Sequence, residues 1–162
     1  MPQVSGDKTH GPLSTPAPEG LADAAFRDVK EEAQLARLME TFEHHGGLLR
    51  CDQMVHLMRK FGDQPMSRLA RWIASREIVT VTRHCALFVP MFQFDSCVME
   101  PQPRCRDTVL ELGGAMVDEE VAVWFASPNS WLGGALPVEM LERDPDCVVE
   151  AARADRFVRR GW

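Results

Sequence analysis

The sequence has no run approaching the roughly 18 consecutive apolar residues that a membrane span requires, and its first residues lack the basic flank and apolar stretch of an export signal. A cytoplasmic protein with no membrane partner is the expectation. Its 5 cysteines, Cys51, Cys85, Cys97, Cys105 and Cys147, are odd in number and scattered, which suits reduced thiols acting as small core hydrophobes. A disulfide framework is not expected. No C-x-x-C or H-E-x-x-H occurs and no glycine-rich phosphate loop either; Gly113-Gly114 and Gly133-Gly134 read as pairs in turns. Neither a metal nor a cofactor is expected. His84 beside Cys85 invites a thiolate reading, but neighbours on a strand point to opposite faces, so base and nucleophile would not meet. His44-His45 sit where a helix ends and read as partners for its last carbonyls. With no catalytic constellation, the chain reads as a binding protein and not an enzyme.

What is present is ordinary globular material: 162 residues, 45% apolar and 26% charged, enough for one domain or two small units sharing a core. The net charge of -6 conceals a division. From His44 to Cys85 seven Arg and Lys stand against three acids, whereas from Asp118 to Trp162 nine acids stand against five arginines. The two halves are built for different surfaces.

Three regions follow. Residues 1–20 mix Pro, Gly, Ser and Thr and read as a disordered arm. Residues 21–100 read as a helix-turn-helix-like unit with a β-hairpin. A first helix over Leu21 to Phe42 carries Leu35, Leu38, Met39 and Phe42 at the spacing of a buried stripe, and Gly46-Gly47 stop it. Met54, Leu57, Met58 and Phe61 form a second stripe, Gly62 breaks it, and Pro65 opens a further helix. There Met66, Leu69 and Ile73 line one face while Arg68, Arg71 and Ser75 line another. Ile78 to Thr82 and Leu87 to Val89 read as strands of a hairpin with Arg83 at its tip. Ser67, Arg68, Arg71, Ser75 and Arg83 would then face a DNA groove, as in a winged or excisionase-like unit, since Arg can read guanine and Ser can hold phosphate. The alternative left open by spacing is that these elements only build a core, with the arginines as its solvated face.

Residues 101–162 read as helical: Asp118 caps a helix carrying Val121, Trp124 and Phe125, Pro128 closes it, and Pro137 and Asp144-Pro145 start two more. In the last helix Cys147, Ala151, Ala154 and Val158 are the expected buried stripe. Arg153, Arg156 and Arg160 form another. Trp131, in a turn of small and polar residues, either plugs a core or anchors a partner. The fold class expected is mainly α with a small β-hairpin.

Val121-Ala122-Val123-Trp124-Phe125, then Pro128-Asn129-Ser130-Trp131-Leu132-Gly133-Gly134, then Leu136-Pro137-Val138-Glu139-Met140-Leu141, resemble the toxin-binding domain of Xre/MbcA/ParS-type antitoxins over about Val109 to Gly161. The resemblance implies a helical domain that holds a protein toxin, frequently a RES-domain toxin that consumes NAD, and autorepression at operator DNA through an attached helix-turn-helix, the protein acting as a homo-oligomer. On that expectation Asn129, Trp131, Leu132, Arg153, Arg156, Arg160 and Trp162 form the toxin-binding face. A DNA-binding regulator or partition accessory protein, whose C-terminal domain only dimerises, is the rival.

Overall fold

The computed structural model describes residues 19–161, with side chains from residue 25 onward. Residues 1–18 of the expected arm, and Trp162 of the expected toxin-binding face, lie outside the described residues. The first helix, α1 (Glu19–Phe42), already includes Glu19 and Gly20. A single 3₁₀ turn (Glu43–His45) follows it and ends where Gly46 turns the chain at φ 90, a conformation that costs L-residues with a Cβ. A Cβ at Gly46 would also lie 2.8 Å from that of Met91.

Strand β1 (Leu48–Arg50) leads into α2 (Cys51–Met58), whose start is held by the Arg50 backbone N–H donating to Gln53 Oε1 at 2.9 Å. Helix α3 (Pro65–Ala74) opens on a proline whose missing N–H costs nothing in a first turn. Strands β2 (Val81–Arg83) and β3 (Ala86–Pro90) form the hairpin, and β1 adds to its far side, giving the antiparallel order β1-β3-β2. Leu49 faces Val89, and Thr82 faces Leu87. The third strand was not anticipated from Leu48–Arg50, which is too short to show a period.

The first strand of the hairpin is shorter than the β-branched run implied. Val79 is kept out of it by Gln93, 1% exposed, whose amide donates to Val79 O at 2.9 Å and accepts from Val79 N at 2.8 Å. The same amide donates to Pro90 O at 2.9 Å. A side chain has taken the place of a neighbouring strand, and the buried peptide group is satisfied without one.

Four helices follow: α4 (Pro103–Leu112), α5 (Asp118–Phe125), α6 (Pro137–Arg143) and α7 (Pro145–Arg160). Helices α4, α6 and α7 each begin at proline, and α5 carries Asp118, Glu119 and Glu120 in its first turn, where the helix dipole favours negative charge. The chain is mainly α with a small antiparallel sheet, as expected. Among the described residues no helix is long and apolar enough to cross a membrane.

Two apolar clusters organise the molecule. One lies within residues 51–99 and joins Met54, Met58, Leu69, Trp72, Ile78, Val89 and Phe94. The other gathers Leu38, Phe42, Val81 and Phe92 with Val109, Leu112, Phe125, Val138 and Val148, and so runs across the boundary expected near residue 100. Phe92 stands at its centre, with ring centroids 4.8 Å from both Phe42 and Phe125.

Several apolar side chains face the other way from the reading above. Met39 and Met66 are exposed, and Trp72 takes the core position beside Leu69 that Met66 was expected to fill. In α7 the buried residues are Val148, Val149, Ala151 and Ala152, while Cys147 and Val158 lie at the surface. A helix wedged between neighbours buries a face wider than one stripe, and the choice of its edges belongs to those neighbours.

Candidate partner-binding site

The turn after α5 is built around Asn129. Its side-chain carbonyl accepts the Trp131 backbone N–H at 2.9 Å, capping a single 3₁₀ turn over Ser130–Leu132. The Gly134 N–H returns to Asn129 O at 2.8 Å, and Gly133 and Gly134 take φ of 65 and 86, where a side chain would strain the backbone. The Asn129 side chain and these backbone bonds together fix the shape of the turn.

Asp155 of α7 fixes this turn to the helices. Its Oδ2 accepts from Trp124 Nε1 at 2.6 Å and from the Asn129 amide at 2.8 Å, while Oδ1 accepts from Trp131 Nε1 at 3.0 Å. One carboxylate therefore holds two indoles and the residue that caps the turn. Trp131 nevertheless remains 58% exposed, and Val158, one turn beyond Asp155 on the same face of α7, is exposed as well. The result is an oriented aromatic side chain whose polar atom is already bonded and whose ring faces solvent. Leu132 is half-buried beneath it and packs on the shared core.

Asp155 was missed by sequence reading. The available signal was a lone acid in line with Val148, Ala151 and Ala152, at the i+7, i+4 and i+3 spacings of the core face.

The arginines of α7 are placed elsewhere. Arg153 Nε meets Glu111 of α4 at 3.0 Å and its Nη1 meets Glu150 at 2.6 Å; Arg156 pairs with the other Glu111 oxygen, and Arg160 donates to Gly114 O at 3.0 Å. Hydrogen bonding to Glu111 and the charge of Glu150 raise the Arg153 pKa above its ordinary value. These three arginines join α7 to α4 on the flank away from Trp131.

The start of α7 is fixed by Asp144, which accepts the Cys147 backbone N–H at 3.2 Å and its thiol at 2.9 Å. The thiol bond first, and then the N–H bond, lower the Asp144 pKa, while the same thiol bond, with burial and the neighbouring carboxylates, raises that of Cys147. Burial raises the Cys105 thiol still further, so neither thiol is activated as a nucleophile.

On α3 and the hairpin the structure separates the expected DNA-facing residues. Ser67 and Arg71 lie exposed on α3, and Ser75 lies exposed at its C-terminal cap. Arg68 turns back, donating to Phe61 O and Met99 O at 3.3 Å each and to Glu100 at 2.6 Å, with its guanidinium 5.3 Å above the Trp72 ring. Arg83 is 6% exposed and is held by Glu119, by Thr82 O at 2.7 Å and by Glu31 O at 3.4 Å. The hairpin tip is His84-Cys85, both in the left-handed region at φ 46 and 62. They are turn residues, not strand neighbours as first read, and His84 Nε2 lies 3.6 Å from Glu32.

A cleft of about 440 Å³ between the end of α1, residues 91–102 and α6 contains His44, His45, Asp95, Cys97 and Glu142. His45 Nδ1 approaches Glu142 at 3.5 Å, so this histidine serves α6 and not the carbonyls of α1. Among the described residues no group of three or more His, Cys, Asp or Glu is placed to hold a metal ion. Compared with protein-family models, curated proteins and solved structures, the chain matches none.

Proposed function

We propose that this chain is a non-catalytic, antitoxin-like protein of the cytoplasm that holds a protein toxin, of the RES-domain type implied by the resemblance, through the face built on Trp131. The observation that carries this reading is the state of that side chain: 58% exposed, yet held by its own N–H on Asp155 and by its backbone on Asn129. A pre-oriented aromatic has little rotamer entropy left to lose on association, which is what makes such residues effective anchors. Val158, exposed one turn beyond Asp155 on the same face of α7, adds apolar surface to that side.

A second reading, a DNA-binding regulator, is favoured by the layout α1-β1-α2-α3-β2-β3 with β1 joining the hairpin, which is that of a winged helix-turn-helix, and by Ser67 and Arg71 exposed on α3 with Ser75 exposed at its end. The two readings are compatible in one protein, and operator repression by the antitoxin combines them.

The test is co-purification of the full-length chain with the product of its neighbouring gene as candidate toxin, with Trp131→Ala alongside. The variant should lose about 2 kcal/mol or more of binding. Its own stability should fall by no more than about 1.5 kcal/mol, because one hydrogen bond and a part-exposed ring are removed. Full binding with a large loss of stability would remove the anchor role and leave the regulator reading.

A further inference from the structure

Helix α1 has two faces, and the fold uses only one. Leu38 and Phe42 enter the shared core, with Leu35 packed against it, while residues 25–33 are all exposed. On the opposite side Phe26, Val29, Ala33 and Ala36 succeed one another at steps of 3, 4 and 3 residues, and each is exposed. Phe26 is 74% and Val29 66% exposed, and Met39, 49% exposed, borders the line one turn further on. Alternating steps of three and four are the a and d positions of a heptad seam, the spacing that keeps one side of a helix against another helix. With Phe26 and Ala33 at a, Lys30 and Arg37 fall at e, and Glu32 and Met39 at g.

The flanking charges identify the partner helix. In a parallel pair a g residue meets the e residue five positions later on the other chain, so Glu32 of each copy would meet Arg37 of the other, twice by symmetry. In an antiparallel pair g flanks meet g and e flanks meet e, which sets Glu32 near Glu32 and the cations Lys30 and Arg37 near each other. Glu32 is exposed in the single chain, with the exposed His84 at 3.6 Å. It can therefore pair across such a seam without breaking a buried contact.

We infer that the exposed face of α1 is the seam of a parallel homodimer, in which Phe26, Val29, Ala33 and Ala36 pack against the same residues of a second copy and Glu32 pairs with Arg37 of that copy. The seam spans about two heptads, so the association is reversible and concentration-dependent, not a condition of folding. It uses no residue of the Trp131 face and stands independently of the toxin-binding proposal.

Sedimentation equilibrium of the full-length chain over a wide range of concentration should show monomer and dimer in exchange. Replacing both Phe26 and Val29 by Glu should raise the dissociation constant at least about tenfold, the equivalent of about 1.4 kcal/mol. The dilute variant should keep its helical dichroism and melting midpoint, since both positions are exposed in the monomer. Glu32→Arg and Arg37→Glu should each weaken the dimer, and the two together should restore it. A chain that is monomeric throughout, a dimer indifferent to the Phe26 and Val29 changes, or a single charge reversal that strengthens association would overturn the inference. The restored double reversal keeps the test decisive even if the seam variant folds poorly.

Discussion

The turn at Trp131 and the basic face of α3 were singled out for the same reason, an exceptional side chain in a plausible place, and the structure treats them in opposite ways. At the turn, a carboxylate satisfies the polar atom of the aromatic and leaves its ring outside. On α3, carbonyls and a carboxylate satisfy Arg68 and draw it inward, leaving Arg71 as the exposed guanidinium of the pair. The difference teaches that charge alone does not mark a binding surface in a small protein. Arginine has five donors and a long apolar stem, so a nearby cluster of orphan carbonyls captures it readily. An aromatic held by a single N–H has a whole face left to offer.

The strongest way to break this comparison is to remove the carboxylate that holds the turn. Asp155→Ala leaves the buried Trp124 N–H and Asn129 amide without their acceptor, and urea denaturation should show a loss of about 3 kcal/mol. Partner binding should fall with it, because Trp131 loses its fixed orientation. If stability were unchanged, the node would be incidental and the preorganisation argument would fail. A smaller effect separates the two arginines of α3. Arg68→Ala should cost about 1–2 kcal/mol in the same measurement, since it bridges α3 to residues 99–100, whereas Arg71→Ala should stay within about 0.5 kcal/mol. In a DNA titration against salt, the Arg71 change should lower the log-log slope by about one unit if that side chain meets a phosphate. Equal stability losses at both positions would erase the distinction between them.

The smallest effect is a pH dependence at the start of α7. The Asp144 carboxylate has its pKa lowered by the Cys147 thiol and N–H. A group of this kind contributes stability that is complete above the ordinary carboxylate pKa and is lost as pH falls through the depressed value. Thermal melts of Asp144→Asn and of the parent chain should therefore differ at neutral pH and converge as the solution is acidified. A constant offset down to the lowest pH would place the cap's contribution in packing and not in charge.

Much of the fold was legible because its signals are local. Pro65, Pro137 and Pro145 mark helix starts by what proline lacks, and the periodicity around Met54 and Val121 needs no knowledge of neighbours. What was not legible depends on contacts distant in sequence. Nothing near Val79 announces that Gln93 will occupy its peptide group, nothing near Arg83 announces Glu119, and Asp155 carries its meaning only once Trp124 and Trp131 are brought to it. The exposed Met39 and Val158 illustrate the same limit from the apolar side. A stripe can be read from spacing, but the partner that covers it cannot.

The apolar cluster centred on Phe92 ties the two halves of the chain together, because the last third shares its interior with Leu38, Phe42 and Phe92 of the first. Separate expression of the last third should yield a molten or insoluble fragment lacking Leu38, Phe42 and Phe92, not a smaller native domain. In a cell the same coupling makes degradation a shared fate. Any ligand that binds only the folded chain at the Trp131 face lowers the population of open molecules available to proteases, and it does so for α3 as much as for α7. Lifetime, and not only occupancy, would then report whether the partner is present.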